Sequence, residues 1–334
     1  MNEERIVKAH DFVLPKPEQE FDVNKLMPVK GFDFDKGLDF KAFLESFETT
    51  GFQASELYKA MQVVKTMISE KATIFLAYTS NMVSSGLRDI IAWLVKNKKV
   101  HVLITSAGGV EEDVIKSLES FRLGSFKAND VELRKKAIQR IGNIYAPVKA
   151  YVKFENFAMK FFEKLLNLQR SRGKPITSLE FTKLLGFEIR DENSILYWAS
   201  KNNIPVFCPA LTDGSIGDMI YFFNKQRDDK EKLLIDIARD VEAINDLAVE
   251  SEKTGIIALG GGLPKHHAIN ANIFRGGAEF AVYISTGTEL DGSLAGARPE
   301  EAITWGKLKQ TSRTAFVNAD ATIAFPLLVA GSFF

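Results

Sequence analysis

In the stretch Glu301-Ala302-Ile303-Thr304-Trp305-Gly306-Lys307 a lysine follows a tryptophan by two residues, behind a lone glycine. A lysine amine attacks carbonyls and imines only while neutral, and partial burial or nearby cations bring it to that state. Trp305 can supply the apolar wall, and an indole face also attracts an ammonium group, so the pair could seat an amine substrate beside the amine that reacts with it. The plainer reading is a solvated lysine beside a core tryptophan, and on these residues alone it is the commoner arrangement. The rest of the chain raises the chemical reading. His266-His267 offers a proton-transfer group, and acids recur at Glu111, Glu112, Asp113, Asp213, Asp218, Asp291, Glu301 and Asp320 with few basic residues beside them. Gly108, Gly109 and Gly260 to Gly262 let backbone N–H groups approach a bound group closely, and a following helix N-terminus would suit a pyrophosphate. None of these stretches is G-x-G-x-x-G, and each taken singly is ordinary turn chemistry.

Convergent carboxylates hold a metal, a polycation or ribose hydroxyls. Here their spacing repeats no metal motif, and His266-His267 has no H-x-x-x-H partner, so no metal is expected. An amine held by acids, with a histidine for the proton and a lysine for covalent chemistry, uses the whole inventory.

The elements that must position these groups are legible as repeats. Ala72 to Tyr78 is a short apolar run that enters the polar Ser80 to Gly86, and a helical pattern follows from Leu87 to Val95. The unit recurs at Val100 to Thr105, Ile204 to Cys208, Thr254 to Leu259 and Phe280 to Ser285, and again near the end at Thr314 to Asn318. Continuous apolar strands alternating with helices predict an α/β fold, a mainly parallel doubly wound (Rossmann-like) sheet with helices on both faces. In such a sheet the loops beyond the strands' carboxyl ends converge on one crevice. Leu57, Ala60, Met61, Val64 and Ile68 mark the inward face of a helix before the first strand, and Ala324 to Phe334 reads as a buried terminal element. A helical insertion is expected from about Val131 to Ser200. Residues 1–28, with Pro15, Pro17 and Pro28 and no sustained period, read as an N-terminal extension to a single domain over 29–334.

The 334 residues carry 43 basic and 43 acidic side chains, so a polyanion-binding face is not expected, and nucleic acid is an unexpected partner. The single cysteine, Cys208, excludes an internal disulfide and fits a reducing cytoplasm. No apolar run is long enough to span a bilayer. The 26 phenylalanines supply core and subunit-interface filling.

The motifs resemble those of the deoxyhypusine synthase family. The resemblance runs from Gly31-Phe32-Asp33-Phe34 and Thr49-Thr50-Gly51-Phe52-Gln53 through Ser80-Asn81-Met82-Val83-Ser84-Ser85-Gly86 and Ala107-Gly108-Gly109-Val110-Glu111-Glu112-Asp113. It continues with Pro209-Ala210-Leu211-Thr212-Asp213-Gly214-Ser215, Gly217-Asp218, Lys265-His266-His267, Gly296-Ala297-Arg298-Pro299-Glu300-Glu301, Trp305-Gly306-Lys307 and Ala319-Asp320-Ala321.

The resemblance implies an NAD-dependent transferase that moves the aminobutyl group of spermidine, through an imine on Lys307, to one lysine of the translation initiation factor 5A precursor. It implies His266 for proton transfer and Asp218, Glu301 and Trp305 for the amine. Contacts to NAD would come from Asn81, Ser84, Ser106, Ala107, Gly108, Glu112, Asp213, Gly261, Gly262, Thr286, Asp291, Asp320 and Ala321. A homotetramer with sites at subunit interfaces is implied too. The chain departs from the family where well-known members read Asp-Gly-Ser-Asp-Ser-Gly and it reads Asp291-Gly292-Ser293-Leu294-Ala295-Gly296. Leu294 cannot hold an ammonium, which opens agmatine as an alternative donor and favours the alternative of an inactive regulatory paralogue; transfer to a small amine such as putrescine is a separate alternative that Lys307 does not distinguish.

Overall fold

A computed structural model describes residues 3–14, 19 and 21–334. Its centre is one parallel sheet of six strands: β1 Thr73–Tyr78, β2 Val102–Thr105, β3 Val206–Phe207, β4 Thr254–Leu259, β5 Ala278–Ile284 and β6 Leu308–Val317. The spatial order is β6-β5-β4-β1-β2-β3, with every neighbouring pair parallel. This is the doubly wound order, in which the chain fills one half of the sheet and then crosses to the other side of β1.

Strand alternation divides the core into two layers. Ile74, Leu76 and Tyr78 pack with Met61, Val64, Ile91, Leu165 and Phe325 on one face of the sheet. Phe75 and Ala77 pack with Ile244, Ala248, Ala268 and Ile269 on the other. Because both faces are covered, β1 reads as an unbroken apolar run. Leu57, Ala60, Met61 and Val64 are buried on helix Phe52–Ser69 as expected, but Ile68 is 41% exposed and Met67 takes the inward place. The terminal helix Ala321–Phe333 buries Ala324, Phe325, Leu328 and Val329.

Three expectations are corrected. Ser80 to Gly86 contains a short helix, Ser80–Ser84, rather than only a polar loop. The helix after β2 starts at Ala107, so Gly108 and Gly109 lie in its first turn. These glycines serve close packing: a Cβ on Gly109 would stand 2.0 Å from Thr105 Oγ1, and one on Gly108 2.6 Å from Ser80 Cβ. The insertion is not wholly helical. A three-stranded antiparallel sheet of Arg122–Leu123, Ile138–Ile141 and Ile144–Pro147 precedes the long helix Val148–Arg172, and Ile176–Thr177 pairs with Ile235–Asp236.

In the N-terminal stretch Glu3–Val13 is helical despite its lack of a sustained apolar period, and residues 5–14 are exposed. Pro15 and Pro17 lie outside the described residues. Among the described residues no helix is long and apolar enough to cross a membrane.

Candidate active site

The strand order reverses between β1 and β4, the point beyond whose carboxyl ends a doubly wound sheet holds its ligand crevice. The chain leaves β1 through Thr79 into helix Ser80–Ser84, and leaves β4 through Gly260 and Gly261 into helix Gly262–Ala271. Gly260 and Gly262 have φ of +79° and +64°, the left-handed region that favours glycine. A Cβ at Gly262 would meet nothing within 4 Å, so this turn faces open space with the unpaired N–H groups of a helix start behind it.

On the β1–β3 side the polar groups are buried and tied to one another. Ser84 donates its hydroxyl to the Glu112 carboxylate, and both residues are buried. Burial pushes the Glu112 carboxyl up to about 7; the Ser84 hydrogen bond and the Lys116 charge act against that shift and the neighbouring Glu111 adds to it. The Glu111 carboxylate accepts the Ile216 N–H at 2.8 Å, which ties the helix after β2 to the Asp213-Gly214-Ser215 turn after β3. Lys116 donates to the carbonyls of Val83, Ser84 and Ser85 at 2.8, 3.2 and 2.8 Å, closing the end of helix Ser80–Ser84. Burial lowers its ammonium to about 8. The Ser106 hydroxyl, at the end of β2, is buried without a hydrogen-bond partner in the chain. An orphaned hydroxyl, a buried carboxylate and bare glycine backbone around one crevice suit the hydroxyls and phosphates of a nucleotide.

On the β4–β6 side stands the lysine. Lys307 ends the turn after helix Pro299–Thr304, where Gly306 takes φ +68°. Its Nζ lies 3.3 Å from His266 Nε2 and 5.5 Å from the centre of the Trp305 ring. Lys307 is 7% exposed whereas Trp305 is 67% exposed, so the indole is an outer wall and not core filling. Burial lowers the Lys307 ammonium below the ordinary lysine value, and the Glu301 carboxylate pulls it back up. Burial also lowers the His266 imidazolium, and the Lys307 charge lowers it further. His266 is therefore biased to the neutral form, able to accept a proton from the amine. A cavity of about 30 Å³ beside them is lined by Lys307, Trp305, Glu301, Leu294, Tyr283 and Lys265 among others. The two histidines diverge: His267 turns inward, its ring centre 6.3 Å from that of Phe207, and burial drops its imidazolium to about 4.

The sequence-derived candidates fall into these two groups and a remainder. Asn81, Ser84, Ser106, Ala107, Gly108 and Glu112 stand on the first side, and Gly261, Gly262, His266, Glu301, Trp305 and Lys307 on the second. Asp213 and Asp218 lie beyond β3, both facing solvent, with their charges close enough to raise the Glu111 carboxyl. Asp218 does not line the Lys307 cavity. Thr286 is exposed beyond β5, and Asp291 spends a carboxylate oxygen on the Ser293 N–H at 2.8 Å. Asp320 caps helix Ala321–Phe333 by accepting the Thr322 N–H at 2.7 Å, and Ala321 is buried. Lys116 was not singled out by the sequence, and Lys265 only as a motif letter; each reaches its partners across about thirty residues, a distance no local pattern reveals.

A doubly wound parallel sheet with glycine turns at its reversal point and a lysine–histidine pair beside a small cavity defines a Rossmann-like α/β protein. The family model described as deoxyhypusine synthase matches residues 42–332, and the chain belongs to that family. A Methanocaldococcus jannaschii protein described as "Probable deoxyhypusine synthase" is 53% identical over 84% of this chain and 88% of its own length. One from Pyrococcus furiosus with the same description is 48% identical, covering 96% and 98%. The deoxyhypusine synthase of Senecio vernalis is 45% identical, covering 91% and 88%. Among solved structures, a chain from Entamoeba histolytica assigned to the same family superposes with a TM-score of 0.67 at 31% identity, covering 91% of this chain and 96% of its own. Membership places the protein among transferases.

Proposed function

We propose that the protein transfers the aminobutyl group of spermidine, by way of an imine on Lys307, to a lysine of the translation initiation factor 5A precursor. The observation that carries this reading is the Lys307–His266 pair, 3.3 Å apart, with Lys307 lining a small cavity beside it. Family membership supplies the donor and the acceptor. NAD is the cofactor we assign to the crevice, with the orphaned Ser106 hydroxyl, Ser84, Glu112 and the backbone of Gly108, Gly261 and Gly262 as its holders. When bound, NAD would supply the hydride acceptor that oxidises the donor to its C=N form and would return that hydride to the imine left on the acceptor lysine.

The chain's own residues carry the rest. Neutral Lys307 attacks the carbon of the oxidised donor's C=N group; the bond to the departing nitrogen breaks and diaminopropane leaves. His266 takes the proton that Lys307 loses in forming its C–N bond and returns it to the leaving amine. The acceptor lysine then displaces Lys307 from the imine carbon in the same manner, and Lys307 is freed. Glu301 holds a donor ammonium, and Trp305 screens the imine from water on one side.

Leu294 favours a second reading of the donor. It lines the cavity and packs with Ala268, Ile269 and Ala302, so this wall offers no carboxylate to an ammonium end. Agmatine is the alternative donor, and putrescine the small-amine alternative acceptor. Asp218 does not line the cavity within one chain, which supports a site completed by a loop of a second copy, as in the homotetramer that the resemblance implies. Residues 29–334 form the catalytic domain in this account, and residues 1–28 an extension.

The test is label transfer. Protein, NAD and labelled spermidine are incubated with the precursor or with putrescine, and the fate of the label is followed. Label in the precursor supports the reading. Label only in a free polyamine replaces the acceptor, and label from agmatine alone replaces the donor. Binding of NAD without transfer from either amine would favour a regulatory paralogue.

A further inference from the structure

We propose that Lys265 is a positioning residue that fastens the loop Glu289 to Arg298 against the Lys307 cavity by gripping two of its backbone carbonyls. Lys265 is 1% exposed, and its Nζ donates to the Leu294 carbonyl at 2.9 Å and the Ala297 carbonyl at 2.7 Å. A third side is taken by the Tyr283 ring, whose centre lies 4.2 Å away. Burying an ammonium is costly unless its hydrogens are satisfied, so both carbonyls matter to this lysine as much as it does to them. The same burial lowers it to about 8, with Glu301 acting in the opposite direction.

The loop needs such a hold. Its other hydrogen bonds are mostly local: Gly292 N–H to Glu289, Gly296 N–H to Ser293, Ser293 N–H to Asp291, and Arg298 to Glu289. Leu290 at its tip is 90% exposed. Yet two of its residues must sit closely. Gly261 approaches Ala295 so tightly that a Cβ would stand 2.2 Å from Ala295 Cα, and Leu294 forms a wall of the Lys307 cavity. Lys265 projects from the helix that carries His266, so one helix fixes the proton-transfer group and, one residue earlier, the opposite wall. With its hydrogens directed at carbonyls, Lys265 is the support and Lys307 the nucleophile.

The kinetic consequence rests on the aminobutyl-transfer reading; the clamp itself rests on geometry. Lys265→Met keeps the side-chain length and removes the donor. Amide hydrogen exchange followed by mass spectrometry should show the 289–298 segment exchanging about tenfold faster in the variant, with β1 and β4 unchanged. For the amine donor, KM should rise about tenfold while kcat stays within about threefold, the pattern of lost ground-state positioning. Unchanged exchange in the loop, an equal acceleration of every segment, or borohydride-trapped label on residue 265 of the wild type would overturn the clamp. A loop that loosens in a protein that transfers nothing from any amine would uphold the clamp and sink the transfer reading. If Lys265→Met does not fold, Lys265→Gln retains an N–H donor and should show intermediate loop protection; protection equal to wild type overturns the proposal.

Discussion

The two sides of the crevice solve opposite problems with the same residue type. Beyond β1 and β2, Lys116 grips three carbonyls, Glu112 accepts from Ser84, and both Ser84 and Glu112 are buried. Around helix Gly262–Ala271, the loop after β5 and the turn before β6, Trp305 and Leu290 stand 67% and 90% exposed, and the buried charge is concentrated in Lys307 and Lys265. The first side holds its shape through contacts within the chain, and its cost is a carboxylate that resists ionisation. In the proposed reading the second presents its groups to an incoming amine, and its cost is a lysine that resists protonation. A closed side suits a cofactor that stays; an open side suits substrates that come and go.

The sharpest way to break this contrast is Lys307→Ala. Transfer should fall by about 10³-fold or more, with Tm and NAD affinity little changed, because the lost group serves the open side only. A comparable loss of NAD affinity would join the two sides. His266→Gln should reduce transfer about 10²-fold by removing the proton acceptor, while slow borohydride trapping on Lys307 persists.

On the closed side the signs reverse. Glu112 has its folded carboxyl raised to about 7 above an ordinary 4.5, so the folded state binds the proton more tightly than the unfolded one. Its contribution to stability therefore falls as pH rises through that window. Glu112→Gln should stabilise the protein at pH 8 by on the order of 1–3 kcal/mol, do little at pH 4, and weaken NAD binding about tenfold. Thermal melts at the two pH values with NAD titration check this; destabilisation at pH 8 would contradict it. The smallest effect on pH dependence is expected from Glu301→Gln, beside the rise in amine KM that follows from losing its hold on the donor ammonium. The carboxylate raises the Lys307 ammonium, so its loss should shift the rising limb of the pH–rate profile to lower pH. An unmoved limb would show that Glu301 does not act on Lys307.

The central strands were legible because both faces of the sheet are buried, which turns each strand into an apolar run such as Thr254–Leu259. The antiparallel strands Arg122–Leu123 and Ile138–Ile141 were not, since their side chains are half or fully exposed and Arg122, Gln139 and Arg140 break any apolar run. Gly108 and Gly109 read as a loop because glycine disfavours helices, but close packing on Ser80 and Thr105 overrides propensity there. At the site, Lys307, Trp305 and His266 stood out by type and order, and the structure brings Lys307 and His266 together across 41 positions. The grips of Lys116 and Lys265 on backbone carbonyls leave no trace in spacing. They exist only once the loops are folded against the helices.

In the proposed reaction Lys307 carries the aminobutyl fragment. Incubation with NAD and labelled spermidine, reduction with borohydride, and peptide mapping test it directly. Label is expected on the peptide containing Lys307 and none in Lys307→Ala; label on any other residue, or equal labelling of the variant, would remove Lys307 from the nucleophile's role.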